Sequence, residues 1–130
     1  MPQPLSRRVL IAEDNEDAGA SLKLLLEALG HEVALVTDGA AAVQSAASFR
    51  PEVIVMDIGM PVLDGYEAAM RIRNLHACGK ISIVALTGWG RYADRAKATS
   101  AGIDHHLLKP LQLPALLAIF DSLPRPRKPK

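Results

Sequence analysis

Five short apolar runs punctuate the chain: RVLIA (8–12), EVALV (32–36), VIVMD (53–57), ISIVAL (81–86) and HHLL (105–108). Segments of helical periodicity separate them. Strands joined by helices of this length cannot close as tight hairpins, so successive strands run parallel and each helix packs back onto a sheet face. The runs show little polar alternation, as expected of strands covered on both faces. The pattern predicts an α/β protein.

The intervening segments carry their own start and stop signals. In the first, Ala18, Leu22, Leu25, Leu26 and Leu29 recur at helical spacing before Gly30 supplies a stop. The second begins near Asp38 and runs through an alanine-rich stretch to about Ala47, and the third opens with Asp64 and Glu67 at capping-box spacing and runs toward Asn74. The fourth, RYADRAKATSAG (91–102), has almost no large apolar residue beyond Tyr92. It can bury little and is expected to be the most loosely held. The last, LPALLAIF (113–120), puts Leu113, Leu116, Leu117 and Phe120 on one face, with Pro114 tolerated in the first turn and Ile119 off the stripe. PRPRKPK (124–130) has no apolar periodicity and reads as a disordered basic tail, leaving residues 1–123 as one domain.

With 49% hydrophobic residues in 130, the chain can build an ordinary core, while a net charge of +1 gives no general attraction to nucleic acid or an anionic membrane. Cys78 is the single cysteine, which suits a reducing cytoplasm. MPQPLSRR is followed only by VLIA before Glu13 and Asp14, too short for a signal-peptide core or a membrane span. A soluble, cytoplasmic protein is expected, and its function must reside in a local site.

Asp57, at the end of the buried run VIVMD, marks that site. A carboxylate withdrawn from water is costly unless a cation or hydrogen bonds compensate it. Ligands of open parallel sheets bind beyond the carboxyl ends of the strands, where Glu13 and Asp14 follow the first strand and Asp57 ends the third. If those strands are neighbours, the acids meet. Oxygen ligands with no histidine or cysteine nearby favour a hard cation, Mg²⁺ ahead of Ca²⁺ where few protein ligands are offered. Thr87, in VALTGWG, and Lys109, in LLKP, end the fourth and fifth strands at the same edge. A hydroxyl and an ammonium facing a carboxylate and a metal form a cradle for a phosphoryl group, with Asp57 as nucleophile.

The four motifs AEDN (12–15), MDIGMPVLDG (56–65), ALTG (85–88) and LLKP (107–110) occur in the order found in receiver domains of two-component response regulators. Over about residues 7–123 the chain resembles that family. The resemblance implies a flavodoxin-like, doubly wound, five-stranded parallel sheet in the order 2-1-3-4-5 with five helices. It implies that Asp57 accepts a phosphoryl group from a histidine kinase or histidine phosphotransfer protein. Asp14, Asp57 and the main-chain carbonyl of Gly59 would bind Mg²⁺, with Glu13 helping mostly through water. Thr87 and Lys109 would contact the phosphoryl oxygens, and Pro110 would follow a cis peptide bond. Such a domain is a signalling module that catalyses its own phosphorylation and dephosphorylation rather than an enzyme acting on other substrates.

Two positions depart from the family pattern. The acidic pair is Glu13-Asp14 rather than Asp-Asp, and the switch position three before Lys109, where Tyr or Phe is usual, is His106. The signal is expected to leave through the face made by the fourth helix, fifth strand and fifth helix, with Thr87 and His106 as switch residues and His106 and Ile119 exposed. Trp89 would border the phosphoryl pocket. A downstream protein partner, no nucleic acid or membrane, and a monomeric or weakly dimeric state complete the expectation. GHEVALVTDG and GIDHHLLKP are similar to terminal receivers of hybrid histidine kinases.

Other readings fit less well. His105 and His106 are adjacent on a strand, so their side chains point to opposite faces and cannot chelate one ion. His31 and His76 lie near turns and are expected to be exposed. A flavodoxin-like cofactor carrier needs a phosphate-cradling first loop, whereas EDNED would repel an anion. A Mg²⁺-dependent phosphatase of the haloacid-dehalogenase type needs a second Asp two residues beyond the nucleophile, a place taken here by Gly59. No helix-turn-helix follows residue 123, which disfavours a transcription factor.

Overall fold

The computed structural model describes residues 6–60, 63–75, 81–88 and 101–123. Their strands are β1 (Arg8–Ala12), β2 (Glu32–Val36), β3 (Val53–Asp57), β4 (Ser82–Thr87) and β5 (His105–Leu108). All pair in parallel in one sheet of order β2-β1-β3-β4-β5. The described helices are α1 (Glu16–Ala28), α2 (Gly39–Ser48), α3 (Gly65–Arg73) and α4 (Leu113–Ser122). The fold is therefore the doubly wound, flavodoxin-like α/β sheet, with four helices among the described residues rather than five. The expected fourth helical segment, 91–102, lies outside those residues except for Ala101 and Gly102, as do His76, Cys78, Trp89, Tyr92 and the tail 124–130.

Local chemistry sets where each helix begins. Asn15 Oδ1 accepts the Ala18 N–H at 3.0 Å, and Asp38 Oδ1 accepts that of Ala41 at 2.8 Å. Asp64 Oδ1 accepts the Glu67 N–H at 2.9 Å. Each side chain thus satisfies a donor that a helix N-terminus leaves orphaned. Because α1, α2 and α3 each follow a strand, their capped ends lie at the carboxyl edge of the sheet.

Period-two alternation divides the core between the two faces. On one, Val9, Ile11 and Val84 pack with Leu22 and Leu26 of α1 and Leu116 of α4. On the other, Leu10, Ile54 and Met56 pack with Ala42 of α2 and Ala69 and Ile72 of α3. Ile72 is wholly buried, and truncating such a residue to Ala costs roughly 2–5 kcal/mol. The stripe expected on α1 narrows to Leu22 and Leu26, since Leu25 and Leu29 are exposed. Ile119, expected to be exposed, is instead half-buried against the α1 and α4 core.

His31 also departs from expectation. It is half-buried because its Nδ1 accepts the Arg7 N–H at 3.1 Å and its ring meets that of Phe120 edge-on, with centroids 5.3 Å apart. Arg7 itself is 3% exposed and donates to Glu52 Oε2 at 3.0 Å and to the Leu123 carbonyl at 3.2 Å. This cluster ties the start of β1 to the end of α4, at the edge opposite Asp57.

Candidate phosphoryl-acceptor site

The register of the sheet assembles the acids. Ala12 of β1 lies opposite Met56 of β3, so Glu13, Asp14 and Asp57 emerge together at the carboxyl edge. Glu13 continues the strand geometry by donating its N–H to the Val36 carbonyl at 3.0 Å. Glu13 and Asp57 are each 6% exposed, whereas Asp14 is exposed. One carboxylate oxygen from each of the three acids lies within 4.8 Å of the others.

Lys109 answers that charge. Its Nζ donates to Asp57 Oδ2 at 2.8 Å and lies 3.5 Å from Glu13 Oε1. The Lys109 N–H donates to the Thr87 carbonyl at 2.8 Å, which fixes the loop after β5 against the end of β4, and the Lys109–Pro110 bond is cis. The Gly59 N–H donates to Asp57 Oδ1 at 3.0 Å, and the Asn15 N–H donates to Glu13 Oε2 at 3.1 Å. Thr87 is buried at the end of β4, one residue past Leu86, the partner of Asp57.

The two buried acids divide their roles electrostatically. Burial alone would raise the pKa of Asp57, but hydrogen bonds from Lys109, from Glu13 and from the Gly59 N–H outweigh it and hold the carboxyl below its ordinary value. For Glu13, burial and the neighbouring Asp57 prevail over the Asn15 N–H and Lys109, pushing its pKa up to about 7. The Lys109 pKa rises because its bond to Asp57 outweighs its own desolvation. The environment thus favours the ionised form of Asp57 and makes Glu13 the more readily protonated of the two. Oxygen donors crowded in this way fit a hard divalent cation, which would relieve the repulsion that Lys109 only partly offsets.

A cavity of about 520 Å³ adjoins the site between α1 and the loop after β5, lined by residues including Ile11, Glu13, Leu22, Leu86, Lys109 and Leu111. His106 is half-buried rather than exposed and lies opposite Ala85, on the sheet face that also packs Ala101 and Ile103. Glu13, Asp14, Asp57, Gly59, Thr87 and Lys109 therefore share one edge, and His106 stands three residues back along β5. Sequence reasoning passed over Gly39 and Gly65, whose close backbone contacts border this edge. The pairs Asp38-Gly39 and Asp64-Gly65, each a cap followed by a glycine, were the available signal.

Comparison with known proteins gives a consistent answer. The chain is 39% identical over 122 residues to the transcriptional regulatory protein PrrA of Mycobacterium tuberculosis, covering 94% of this chain and 52% of PrrA. It therefore spans about half the length of the curated relatives it matches. Among solved structures it is similar to the receiver domain of a Pseudomonas aeruginosa sensor histidine kinase with a magnesium ion coordinated in its active site cleft. That match has a TM-score of 0.80 and 36% identity over 89% of this chain and 95% of the other. It is also similar to the Saccharomyces cerevisiae co-crystal structure of the histidine phosphotransfer protein Ypd1 with the receiver domain of its downstream response regulator Ssk1. There the TM-score is 0.79 and the identity 32%, over 87% of this chain and 85% of the other. The response regulator receiver domain profile matches residues 9–121, so the chain belongs to that family and is a receiver domain of two-component signalling.

Proposed function

We propose that the domain accepts a phosphoryl group on Asp57 from a phosphohistidine donor, a histidine kinase or a histidine phosphotransfer protein, in the presence of Mg²⁺. The observation that carries this reading is the Lys109–Asp57–Glu13 cluster, in which a buried carboxylate is kept ionised by an ammonium 2.8 Å away. An Asp57 oxygen attacks phosphorus, the phosphorus–nitrogen bond to the donor imidazole breaks, and the imidazole leaves. Lys109 holds a phosphoryl oxygen as the charge on Asp57 is consumed, and the Thr87 hydroxyl moves to meet another.

Asp14, Asp57 and the Gly59 carbonyl would hold Mg²⁺, which when bound supplies neutralisation of the acceptor and of the incoming phosphoryl group. Glu13 would contribute through water once its proton is lost. The magnesium in the cleft of the Pseudomonas receiver supports this choice of ion, and the Ypd1–Ssk1 complex supports a phosphotransfer partner. A cytoplasmic setting accords with the absence, among the described residues, of any helix long and apolar enough to cross a membrane.

Incubation with acetyl phosphate tests the proposal. Intact-mass spectra should show one added phosphoryl group in the parent with Mg²⁺, and none with excess EDTA or in Asp57→Asn. Modification of Asp57→Asn would overturn the assignment.

A further inference from the structure

We propose that Gly39 and Gly65 are positioning residues that grip the two ends of the β3–α3 loop and thereby set the main chain beside Asp57. A Cβ at Gly65 would lie 2.8 Å from Ile58 Cα and 3.1 Å from the Asp57 carbonyl oxygen, and the Gly65 N–H donates to the Ile58 carbonyl at 3.0 Å. The first turn of α3 therefore rests directly on the backbone of the acceptor residue and its successor. At the far end of the loop, a Cβ at Gly39 would overlap the Leu63 carbonyl oxygen and lie 2.7 Å from its carbon.

In both places most of the obstruction is backbone, so a change of rotamer would not relieve it and a segment must shift. α2 is the less free to do so, because Asp38 caps it and Ala42 and Ala46 are wholly buried. Leu63 must yield instead, as Ile58 must at Gly65. Between the two contacts lies Gly59, whose N–H donates to Asp57 Oδ1. A shift of Ile58 or Leu63 displaces that donor and the neighbouring carbonyl together, which weakens both the hold on the ionised Asp57 and the proposed Mg²⁺ site.

The remaining glycines are a contrast within the same chain. A Cβ at Gly19 would press only on the end of the Leu35 side chain, a flexible group. Gly102, with φ of +88°, would be strained by substitution and would press on the Arg73 side chain, but it lies beyond the opposite ends of the strands from Asp57. Substituting Gly102 should destabilise the fold without touching the site.

The inference rests on the proposed Mg²⁺-dependent reading and is tested apart from phosphorylation activity. Mg²⁺ affinity by calorimetry and the metal-free amide spectrum would be recorded for the parent, Gly39→Ala, Gly65→Ala and Gly102→Ala, each well below its melting temperature. Gly39→Ala and Gly65→Ala should bind Mg²⁺ at least about tenfold more weakly, with the Gly59 amide resonance displaced before metal is added. Gly102→Ala should melt earlier yet bind within about twofold of the parent. Gly65→Ala, the milder intrusion, keeps the test decisive if Gly39→Ala does not fold. Parent-like affinity and an unmoved Gly59 amide in either folded variant would overturn the grip while leaving the proposed function intact. Failure of the parent itself to bind Mg²⁺ would overturn both.

Discussion

Lys109 reaches across 52 residues of sequence to place its ammonium 2.8 Å from Asp57 Oδ2. The pair is a charge-assisted hydrogen bond at a largely buried carboxylate, and under the proposed function it stands in for the charge balance that a phosphoryl group would demand. Lys109→Ala should lower the initial rate of phosphorylation by acetyl phosphate at least about tenfold, because a fixed donor to the developing charge is lost. Initial rates from intact-mass spectra would check this, and equal rates in parent and variant would refute it.

Glu13 makes the site sensitive to pH. A carboxyl whose pKa is raised in the fold, here to about 7 from an ordinary 4.5, contributes stability that is full below its unfolded value and lost as pH rises through the folded one. The metal-free protein should therefore lose stability from this source as pH climbs from about 4.5 to about 7, and little more above it. Mg²⁺ affinity should change in the opposite sense, rising between about pH 6 and pH 8 as the proton that competes with the ion departs. Melting curves from about pH 4.5 to pH 8 and Mg²⁺ titrations from about pH 6 to pH 8 provide the measurement, and Glu13→Gln should flatten both profiles.

The strands and the acid cluster were legible because they depend on short-range patterns. Four of the five apolar runs coincide with strands, and the fourth differs in starting at Ser82 rather than Ile81, with Thr87 at its end as expected. Asp57, Glu13, Asp14, Thr87 and Lys109 were found from their places after the strands, since a parallel sheet brings those ends together whatever the loops between them do. Burial decided by distant chain was not legible. His31 reads as a polar turn residue until Arg7 and Phe120 close over it, and nothing local marks Arg7 for enclosure by Glu52 and the Leu123 carbonyl. The close approach at Gly39 depends on where Leu63 arrives, which no local signal specifies.

That His31 cluster predicts an acid sensitivity at the edge away from Asp57. Burial first, and then the Arg7 charge, lower the His31 pKa below its ordinary 6.5, with Glu52 opposing them. A depressed pKa contributes stability that is present above the unfolded value and lost as pH falls through the folded one. The protonated ring would also lose its capacity to accept the Arg7 N–H. Melting temperature should fall below about pH 6.5 with a component absent in His31→Gln, and equal acid slopes in the two proteins would refute the assignment.

Thr87 should separate chemistry from response. Its carbonyl accepts the Lys109 N–H, so the backbone hold on the loop after β5 survives substitution of the side chain, and Asp57 keeps its ammonium partner. Thr87→Ala should accordingly still be phosphorylated. What the variant lacks is the hydroxyl that would follow a phosphoryl oxygen and draw the end of β4 with it. Because Thr87 lies opposite Leu108 and Ala85 lies opposite His106, a shift at that end is felt along β5. Beryllofluoride with Mg²⁺ mimics the phosphoryl group without chemistry, so the response can be read at full occupancy. Amide shifts in the parent should extend from Asp57 to residues 101–108, including His106, whereas those in Thr87→Ala should stay near Asp57 and Gly59. Shifts of equal extent in the two proteins would show that the signal leaves by a route that does not need the Thr87 hydroxyl.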